Sequence, residues 1–381
     1  YDTRKGNHAM IKFSCEKSQL AAAIGTASRT AAQKSSLTAI EGILCRAGEH
    51  TGLNLTGYNM ETGITVQVDA EVREDGACIM PTRLLGDIVR RLPEGPVSIT
   101  VDENYKVSIQ AGYASFTIIA SPADDYPELP DVTYTNGVHI PQGELKKLIS
   151  GTIFSVSDNQ SRPIHTGCLF EVADDSISCI AVDGFRLARR TYHPKEKTGR
   201  TMKFVAPAPA LKEAERILQD TDEDAVFTLG PKHILFEIGG ATLVCRILEG
   251  DFLDWRRVVP TDCPIKLVAN VSDLNASIER VGLIVSEKIK SPVHCVFGKN
   301  VANFRTNTTV GAAADQCSMA GDGKELEIGF NCRYLCEALR AVPSEEVCLE
   351  LTNGLSPIVL TPVREEDDFA YMILPVRLKN S

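Results

Sequence analysis

The residues that could carry chemistry are few and dispersed in this sequence. The twelve cysteines form no Cys-x-x-Cys pair, and Cys332 and Cys336, one helical turn apart, lack a second His or Cys pair to complete a zinc set. Asp124 and Asp125 could suggest a metal pair, but their place at the end of a predicted domain favours a surface turn. No nucleophile elbow, phosphate-binding loop or His-Glu-x-x-His motif is present. The sequence therefore predicts no catalytic site, no metal and no cofactor.

The composition and the net charge argue against several classes of protein and of binding partner. The 381 residues carry a net charge of −10, which argues against a nucleic-acid partner bound through overall charge. No apolar run approaches the roughly 18 residues of a membrane span, and no secretion signal is visible. The scattered cysteines are expected to be reduced structural thiols in a cytoplasmic protein. Residues 1–9 are unrelated to the pattern described below and are interpreted as an expression-vector leftover.

One order of elements is predicted three times along the chain. A helix with apolar residues at steps of three and four is followed each time by three strand-like runs. These helices are predicted at 82–92, 208–218 and 332–342. Leu85, Leu211 and Leu335 are equivalent positions, and a second helix start is marked by Leu20, Leu145 and Leu274, again with a period of about 125 residues. Two independent markers at one period indicate three copies of one α+β domain.

Each copy is long enough to have its own core. The copies are predicted at residues 10–130, 131–260 and 261–381. Their first helices are predicted at 17–27, 142–150 and 272–286, the last with Ser272 as its N-cap. Residues 40–46 are predicted as a strand, 183–188 as a tight turn with Gly184 at positive φ, and 293–298 with 301–307 as a hairpin.

Several short motifs lie in order across the three copies. They include Met10-Ile11-Lys12-Phe13, Asp183-Gly184-Phe185-Arg186-Leu187, Asp254-Trp255-Arg256-Arg257-Val258 and the tail from Tyr371 to Leu378. With these motifs the chain resembles the β subunit family of bacterial DNA polymerase III, the sliding clamps. The resemblance implies three tandem clamp domains, each with two helices on antiparallel sheets. It further implies a head-to-tail homodimer that closes into a six-domain ring around duplex DNA, without base contacts.

The resemblance also implies partners and the residues that meet them. The polymerase III catalytic subunit, the clamp loader and other replication and repair proteins are expected to bind as short linear peptides in one groove. The groove is expected to contain His165, Val182, Gly184, Phe185, Arg186, Leu187, Leu253, Arg257, Val258, Tyr334, Met372, Ile373, Leu374, Pro375, Val376 and Arg377. Phosphate contacts are expected from Arg29, Lys34, Lys146, Lys147 and Arg162. The dimer contact is expected at edge strands 115–119 and 301–307, with Phe116, Ile118, Ile284 and Val285 packed beneath them.

Two other functions remain open from the residues alone. A scaffold built of the same repeats could bind partner peptides without encircling DNA. A hydrolase or transferase with an unrecognised site is a second possibility, which the lack of any convergent polar constellation disfavours.

Overall fold

The structure is a computed structural model, and it describes residues 10–132, 137–285, 291–321 and 325–378. The interpretation of residues 1–9 therefore concerns residues outside the described part. Three successive groups of elements follow one another along the chain, in the order predicted for three copies of one domain.

The bounds of the elements are as follows. The first copy contains β1 (Ile11–Glu16), α1 (Lys17–Ala27), β2 (Gly42–Gly48), β3 (Gly52–Tyr58), β4 (Thr62–Val68), β5 (Glu71–Glu74), β6 (Gly76–Pro81), α2 (Thr82–Arg91), β7 (Pro96–Val101), β8 (Lys106–Ala111), β9 (Ala114–Ile119) and β10 (Ser121–Pro122). The second contains β11 (Val138–Pro141), α3 (Gln142–Ser150), β12 (Gly167–Ala173), β13 (Ser176–Val182), β14 (Arg186–Tyr192), β15 (Met202–Pro207), α4 (Ala208–Ile217), β16 (Asp224–Leu229), β17 (His233–Ile238) and β18 (Ala241–Arg246). The third contains β19 (Ile265–Asn270), α5 (Val271–Gly282), β20 (Val293–Phe297), β21 (Val301–Thr308), β22 (Gly311–Ser318), β23 (Ala320–Gly321), β24 (Leu326–Phe330), α6 (Cys332–Ala341), β25 (Glu346–Leu351), β26 (Ile358–Pro362) and β27 (Phe369–Ile373).

The chain packs as two compact units, of which the first comprises Tyr1–Gly143 and Lys212–Ile247. Its strands form a five-stranded sheet in the order β5-β1-β7-β8-β9 and a nine-stranded sheet in the order β10-β6-β2-β3-β4-β18-β17-β16-β11. The larger sheet is continuous because β4 of the first copy pairs antiparallel with β18 of the second. Helix α1 buries Leu20, Ala23, Ile24 and Ala27, the spacing of one helix face, against the apolar core of the first copy.

The second unit comprises Glu144–Leu211 and Leu248–Ser381. Its nine-stranded sheet has the order β15-β12-β13-β14-β27-β26-β25-β19-β23, and a four-stranded sheet has the order β22-β21-β20-β24. Here β14 of the second copy pairs antiparallel with β27, the last strand of the third copy. Successive side chains of each strand therefore point to opposite faces of this joint sheet. One face is covered by helices, and the other forms part of the site described below.

The third copy differs from the sequence-based prediction at its first helix. Asn270, and not Ser272, is the N-cap of α5, because its side-chain oxygen accepts the N–H of Asp273 at 3.1 Å. Ser272 instead donates its hydroxyl to Asn270 Oδ1 at 2.7 Å. The helix ends at Gly282, so the predicted end at Ser286, which lies outside the described residues, is wrong.

Other predicted elements are confirmed or corrected by the strand pairing. The hairpin of β20 and β21 is confirmed. Residues Thr38–Glu41 form a 3-10 helix, so the strand predicted from residue 40 begins at Gly42. The turn predicted at 183–188 occupies only residues 183–185, because β14 begins at Arg186. Several strands were not predicted, among them β5, β11, β15, β19, β22 and β24.

Candidate functional site

The tail of the chain lies along the turn at residues 183–185. Strand β27 pairs with β14 so that Met372 is opposite Leu187, and the N–H of Leu374 then donates to the carbonyl of Phe185 at 2.9 Å. Two residues later the N–H of Val376 donates to the carbonyl of Gly329 at 2.8 Å, which ties the tail to β24. The backbone of the tail is thereby fixed between the second and third copies.

The turn itself is held by Asp183. Its carboxylate accepts the backbone N–H of Phe185 at 2.8 Å and that of Arg186 at 3.0 Å, while Gly184 has a φ of 91°. A side chain at position 184 would strain this backbone. The ring of Phe185 is 60% exposed and stacks on Tyr334 of α6 with ring centroids 6.3 Å apart. An aromatic pair, in which Phe185 is exposed and Tyr334 is half-buried, therefore borders the tail.

The face of the sheet next to this pair is apolar. Val182, Leu187 and Met372 are buried in one cluster, which Phe252 and Trp255 cover in part. Four side chains around this buried floor remain more than a third exposed: Leu253, Val258, Leu374 and Val376. Small apolar side chains on a buried floor make a surface suited to the hydrophobic residues of an extended peptide. The name groove is used below for the following residues: Val182, Phe185, Leu187, Leu253, Val258, Tyr334, Met372, Leu374 and Val376.

His165 and the segment around Trp255 border the floor of the groove. The His165 ring meets Phe252 edge to face at 5.4 Å, and burial together with the nearby Arg162 charge lowers the pKa of His165. The neutral imidazole is therefore favoured near neutral pH. Trp255 donates from its indole nitrogen to Glu171 at 3.2 Å. Arg257 is exposed and pairs with Asp254 at 3.0 Å, so it lies at the rim.

Glu171 organises the charges beside Trp255. Burial alone would raise the pKa of this carboxyl, but hydrogen bonds from Arg256, Trp255 and Lys203 outweigh it and lower the pKa. The Arg256 guanidinium also lies 4.3 Å from the centre of the indole ring. Trp255 is thereby held at the edge of the cluster. In the tail, Pro375 is half-buried and Arg377 is exposed.

Comparison with known proteins covers nearly the whole chain. Models of the DNA polymerase III β subunit match with its N-terminal domain at 11–130, its central domain at 139–254 and its C-terminal domain at 256–377. The beta sliding clamp of Staphylococcus epidermidis is 28% identical over 378 residues, covering 97% of this chain and 100% of the relative. A DNA polymerase III β subunit from Eubacterium rectale superposes with a TM-score of 0.90 at 30% identity, covering 96% of this chain and 99% of that one. The sliding clamp of Bacillus subtilis gives 0.91 at 26% identity, with 97% and 100% covered.

The chain belongs to the DNA polymerase III β subunit family, the sliding clamps. The α+β fold of three tandem clamp domains is therefore confirmed. The main function predicted from the sequence, that of a DNA sliding clamp, is also confirmed and is preferred over the protein-only scaffold. Members of this family are non-catalytic processivity factors, and we assign no enzymatic activity to this chain.

Two residues predicted to line the groove of this clamp lie elsewhere. Ile373 is 1% exposed in the core of the third copy, because alternation along β27 sends Tyr371 and Ile373 to the helix-covered face and Met372 to the groove face. Arg186 is 6% exposed and also leaves β14 on the helix-covered face. Both side chains therefore point away from the floor of the groove, since neighbouring residues of a strand point in opposite directions.

Arg186 instead supports the groove from beneath. Its guanidinium donates to Asp183 at 2.9 Å, to Glu337 of α6 and to the carbonyl of Phe154. It also lies 4.3 Å from the centre of the Tyr334 ring. One buried arginine therefore joins the turn at 183–185 in the second copy to α6 in the third, and it contacts Tyr334 of the aromatic pair.

Leu355 is a candidate groove residue that the sequence analysis missed. It is 77% exposed in the turn between β25 and β26. The turn lies close to β24, since a Cβ added to Gly354 would fall 2.6 Å from the carbonyl oxygen of Glu327. The same strand carries Gly329, the partner of Val376. The signal in the sequence was the Asn353-Gly354 turn followed by a large apolar residue.

The predicted phosphate-binding residues are found at the surface of each unit. In the first unit Arg29 follows α1 and lies 4.0 Å from Glu213, and Lys34 is exposed in the loop after it. In the second unit Lys147 is exposed on α3 and pairs with Glu144 at 2.8 Å, while Lys146 is half-buried. Arg162 is exposed just before a short 3-10 helix.

The predicted dimer contact needs one correction. Strand β9 is an edge of its sheet, as expected, but β21 at 301–308 is internal because β22 pairs with it on the outer side. The edge on that side of the sheet is β22, and the opposite edge is β24. Phe116 is exposed on β9, whereas Ile118 is buried in the core of the first copy. Ile284 and Val285 are half-buried after α5, and the neighbouring Leu283, which was not predicted, is 83% exposed.

The described residues contain neither a candidate metal site nor a candidate membrane span. Across residues 10–132, 137–285, 291–321 and 325–378, no three His, Cys, Asp or Glu side chains lie close enough together to hold a metal ion. Over the same residues, no helix has the length and apolarity that crossing a membrane requires.

The buried position of Arg186 yields a test by substitution. Arg186→Met removes the buried cation that the carboxylates of Asp183 and Glu337 share, and we expect a loss of about 3 kcal/mol in unfolding free energy. The measurement is denaturant unfolding of the second unit, followed by the fluorescence of Trp255, the single tryptophan. Arg333→Met is the matched control, because Arg333 is exposed and 3.9 Å from the same Glu337, and it should cost less than about 1 kcal/mol. Equal losses in the two variants would remove the support role of Arg186.

Proposed function

We propose that this clamp acts as a homodimeric ring that encircles duplex DNA and tethers replication proteins through the groove. The partners we propose are the polymerase III catalytic subunit, the clamp loader and other replication and repair proteins. The observation that carries the proposal is the groove: an apolar floor with exposed small side chains, bordered by a backbone that is held in place. The proposed location is the cytoplasm, and the proposed boundaries between copies lie near residues 130 and 260.

A short extended peptide suits this groove for physical reasons. The floor of Leu187 and Met372 is already buried, so a partner side chain completes a packed contact without first ordering the site. Exposed Leu374 and Val258 supply apolar walls, and the exposed charge of Arg257 can fix the direction of the peptide. Apolar anchors at the centre of such a site carry more binding energy than charges at its rim.

The groove is tested by truncating an exposed wall residue. We expect Leu374→Ala to weaken binding of a labelled peptide from the tail of the polymerase catalytic subunit at least about tenfold, or ~1.4 kcal/mol. Leu374 is chosen over Met372 because Met372 is buried, and its truncation would also lower stability. The measurement is fluorescence polarisation with the wild-type and variant proteins.

A control separates the groove from general effects on the strands. Val363→Ala removes a similarly exposed apolar side chain near the other end of the β26–β27 pair. It should leave peptide affinity unchanged, and both variants should keep the wild-type unfolding midpoint. Equal peptide affinity for Leu374→Ala and the wild type would remove this groove as the binding site.

Contact with DNA is proposed at the cations around the first helices of copies one and two. Arg29 and Lys147 each have a carboxylate neighbour, Glu213 and Glu144 respectively, in the absence of DNA. Binding a phosphate therefore exchanges one anionic partner for another, which gives a weak and sequence-independent attraction. A ring that must slide requires an attraction of this kind. Lys34, Lys146 and Arg162 are proposed to add to it.

The triple variant Arg29→Ala, Lys34→Ala, Lys147→Ala tests these cations. We expect weaker binding to duplex DNA and a salt dependence flatter by roughly one unit of slope for each lost phosphate contact. Binding is measured over a series of salt concentrations, and peptide binding should persist. The control removes three other exposed lysines, at Lys195, Lys197 and Lys232, and should keep the wild-type slope. An unchanged slope in the test variant would place its residues outside the DNA contact.

The homodimer is proposed to form by pairing of edge β9 in one chain with edge β22 in the other. Phe116 and Ile119 are exposed on the first edge, β9. A separate surface pocket of about 1020 Å³, lined by Leu37, Leu84 and Ile119, opens next to this edge. The complementary feature is Leu283, the exposed apolar residue after α5, which the half-buried Ile284 and Val285 follow. Ile118 of β9 is buried in the core of the first copy and supports the first edge from within. Paired edges would satisfy backbone groups that are otherwise left to water.

Because this surface is mainly apolar, the dimer is expected to persist at 1 M salt. Leu283→Asp should raise the dimer dissociation constant at least about tenfold. Leu355→Asp changes a similarly exposed leucine outside the contact and should not raise it. Mass in solution measures both. A monomeric wild type, or one that dissociates at 1 M salt, would contradict the contact.

Retention of the dimer on circular DNA and its release after linearisation separates a ring from a peptide-binding scaffold.

A further inference from the structure

Two thiols of α6 lie together on the side of the helix that faces α5. Cys332 and Cys336 are separated by one helical turn, and the Cys332 thiol donates to the carbonyl of Ile278 at 3.6 Å. All twelve cysteines lie in the described residues and are free, and only Cys332 and Cys348 are not fully buried. The pair therefore combines a thiol that solvent can reach with a buried thiol beside it.

Cys332 is placed where a thiolate is stabilised. It is the first residue of α6, directly after the Asn331 cap, and the positive end of the helix dipole favours a negative charge there. A hydrogen bond from Cys336 lowers the pKa of Cys332. The nearby charges of Arg340 and Glu279 pair with each other at 2.6 Å and largely cancel. Cys332 is thus the reactive member of the pair, and Cys336 is positioned to resolve it.

A disulfide between these residues would change the helix. Side chains four apart on a helix have Cβ atoms about 5–6 Å apart, whereas a disulfide holds them at about 3.5–4.5 Å. The first turn of α6 must therefore tighten, and it is held mainly by Asn331, whose side chain accepts from the N–H of Arg333 and of Tyr334. A bond formed against such resistance is readily reduced again, as regulatory disulfides are.

The loop that this bond would close contains Tyr334. Its ring stacks on Phe185 at the groove and lies over Arg186, the cation that joins the two copies. We propose that Cys332 and Cys336 are a reversible redox switch, whose oxidation to a disulfide displaces Tyr334 and lowers the affinity of the groove for partner peptides. This inference rests on the proposed peptide-binding function.

Hydrogen peroxide is a sufficient oxidant for the step. The Cys332 sulfur attacks one peroxide oxygen, the O–O bond breaks, and the sulfenic acid of Cys332 forms with release of one water. The Cys336 sulfur then attacks the Cys332 sulfur, the S–O bond breaks, and the hydroxide leaves with the Cys336 proton as a second water. Two thiols lose two electrons and two protons, and one peroxide becomes two waters. A dithiol reductant reverses the change by exchange.

The experiment compares one protein in two redox states. The wild-type clamp is treated with hydrogen peroxide, the disulfide is located by peptide mapping, and affinity for the labelled polymerase-tail peptide is measured before treatment, after it, and after dithiothreitol. We expect a Cys332–Cys336 disulfide, an affinity at least about tenfold lower, and full recovery on reduction. Cys332→Ser and Cys336→Ser should bind like the reduced wild type and ignore the peroxide. Cys348→Ser, which removes the other accessible thiol, should respond like the wild type.

Several results would overturn the switch. They are an oxidised protein that carries the disulfide but binds the peptide with undiminished affinity, a response that survives in Cys332→Ser, or oxidation of Cys332 without bonding to Cys336. A reduced wild type that fails to bind the peptide at all would contradict the proposed function instead. In that case the switch is tested separately by hydrogen exchange of the first-turn amides of α6. An unchanged exchange rate after disulfide formation would exclude a displaced Tyr334.

Discussion

The pairing of β14 with β27 is the interaction on which the site depends. It joins the second and third copies into one sheet, and it sets Leu187 opposite Met372 so that the floor of the groove is continuous. The same register carries the tail past the turn, where Leu374 bonds to Phe185. Without this pairing two strands would expose their backbone groups, and the groove would lose the fixed distance between its walls.

Local sequence pattern predicts those elements whose residues have the apolar spacing and the propensity of the structure that they form. Five of the six predicted helices begin and end within one residue of the observed bounds, and the predicted bounds of α1 and α3 are those observed. Strand β22 was missed because its glycine, alanines and polar residues have low strand propensity. It forms because β21 pairs with it along its whole length. Distant pairing here overrides local preference, and no window of the sequence contains that information.

The types of residue in the groove could be predicted, but their directions could not. Whether Met372 or Ile373 faces the groove depends on which side of the joint sheet the helices cover, and this is decided by strands far apart in the sequence. Arg186 shows the same limit more sharply. Its burial is tolerable only because Asp183, three residues before it, and Glu337, on a helix of the next copy, both meet its guanidinium. The second partner is invisible to any local pattern.

The proposed ring requires two contacts with opposite physical properties. Closure must withstand changes in salt, and the exposed apolar residues beside β9 and after α5 offer attraction that salt does not screen. Contact with DNA must be weak enough to permit sliding, and surface cations that already have carboxylate neighbours gain little by exchanging them for phosphates. An acidic chain with a net charge of −10 is consistent with this division, since it limits attraction to DNA to a few local cations. Apolar edges and neutralised cations would thus let the two chains of the ring bind each other tightly and bind DNA weakly.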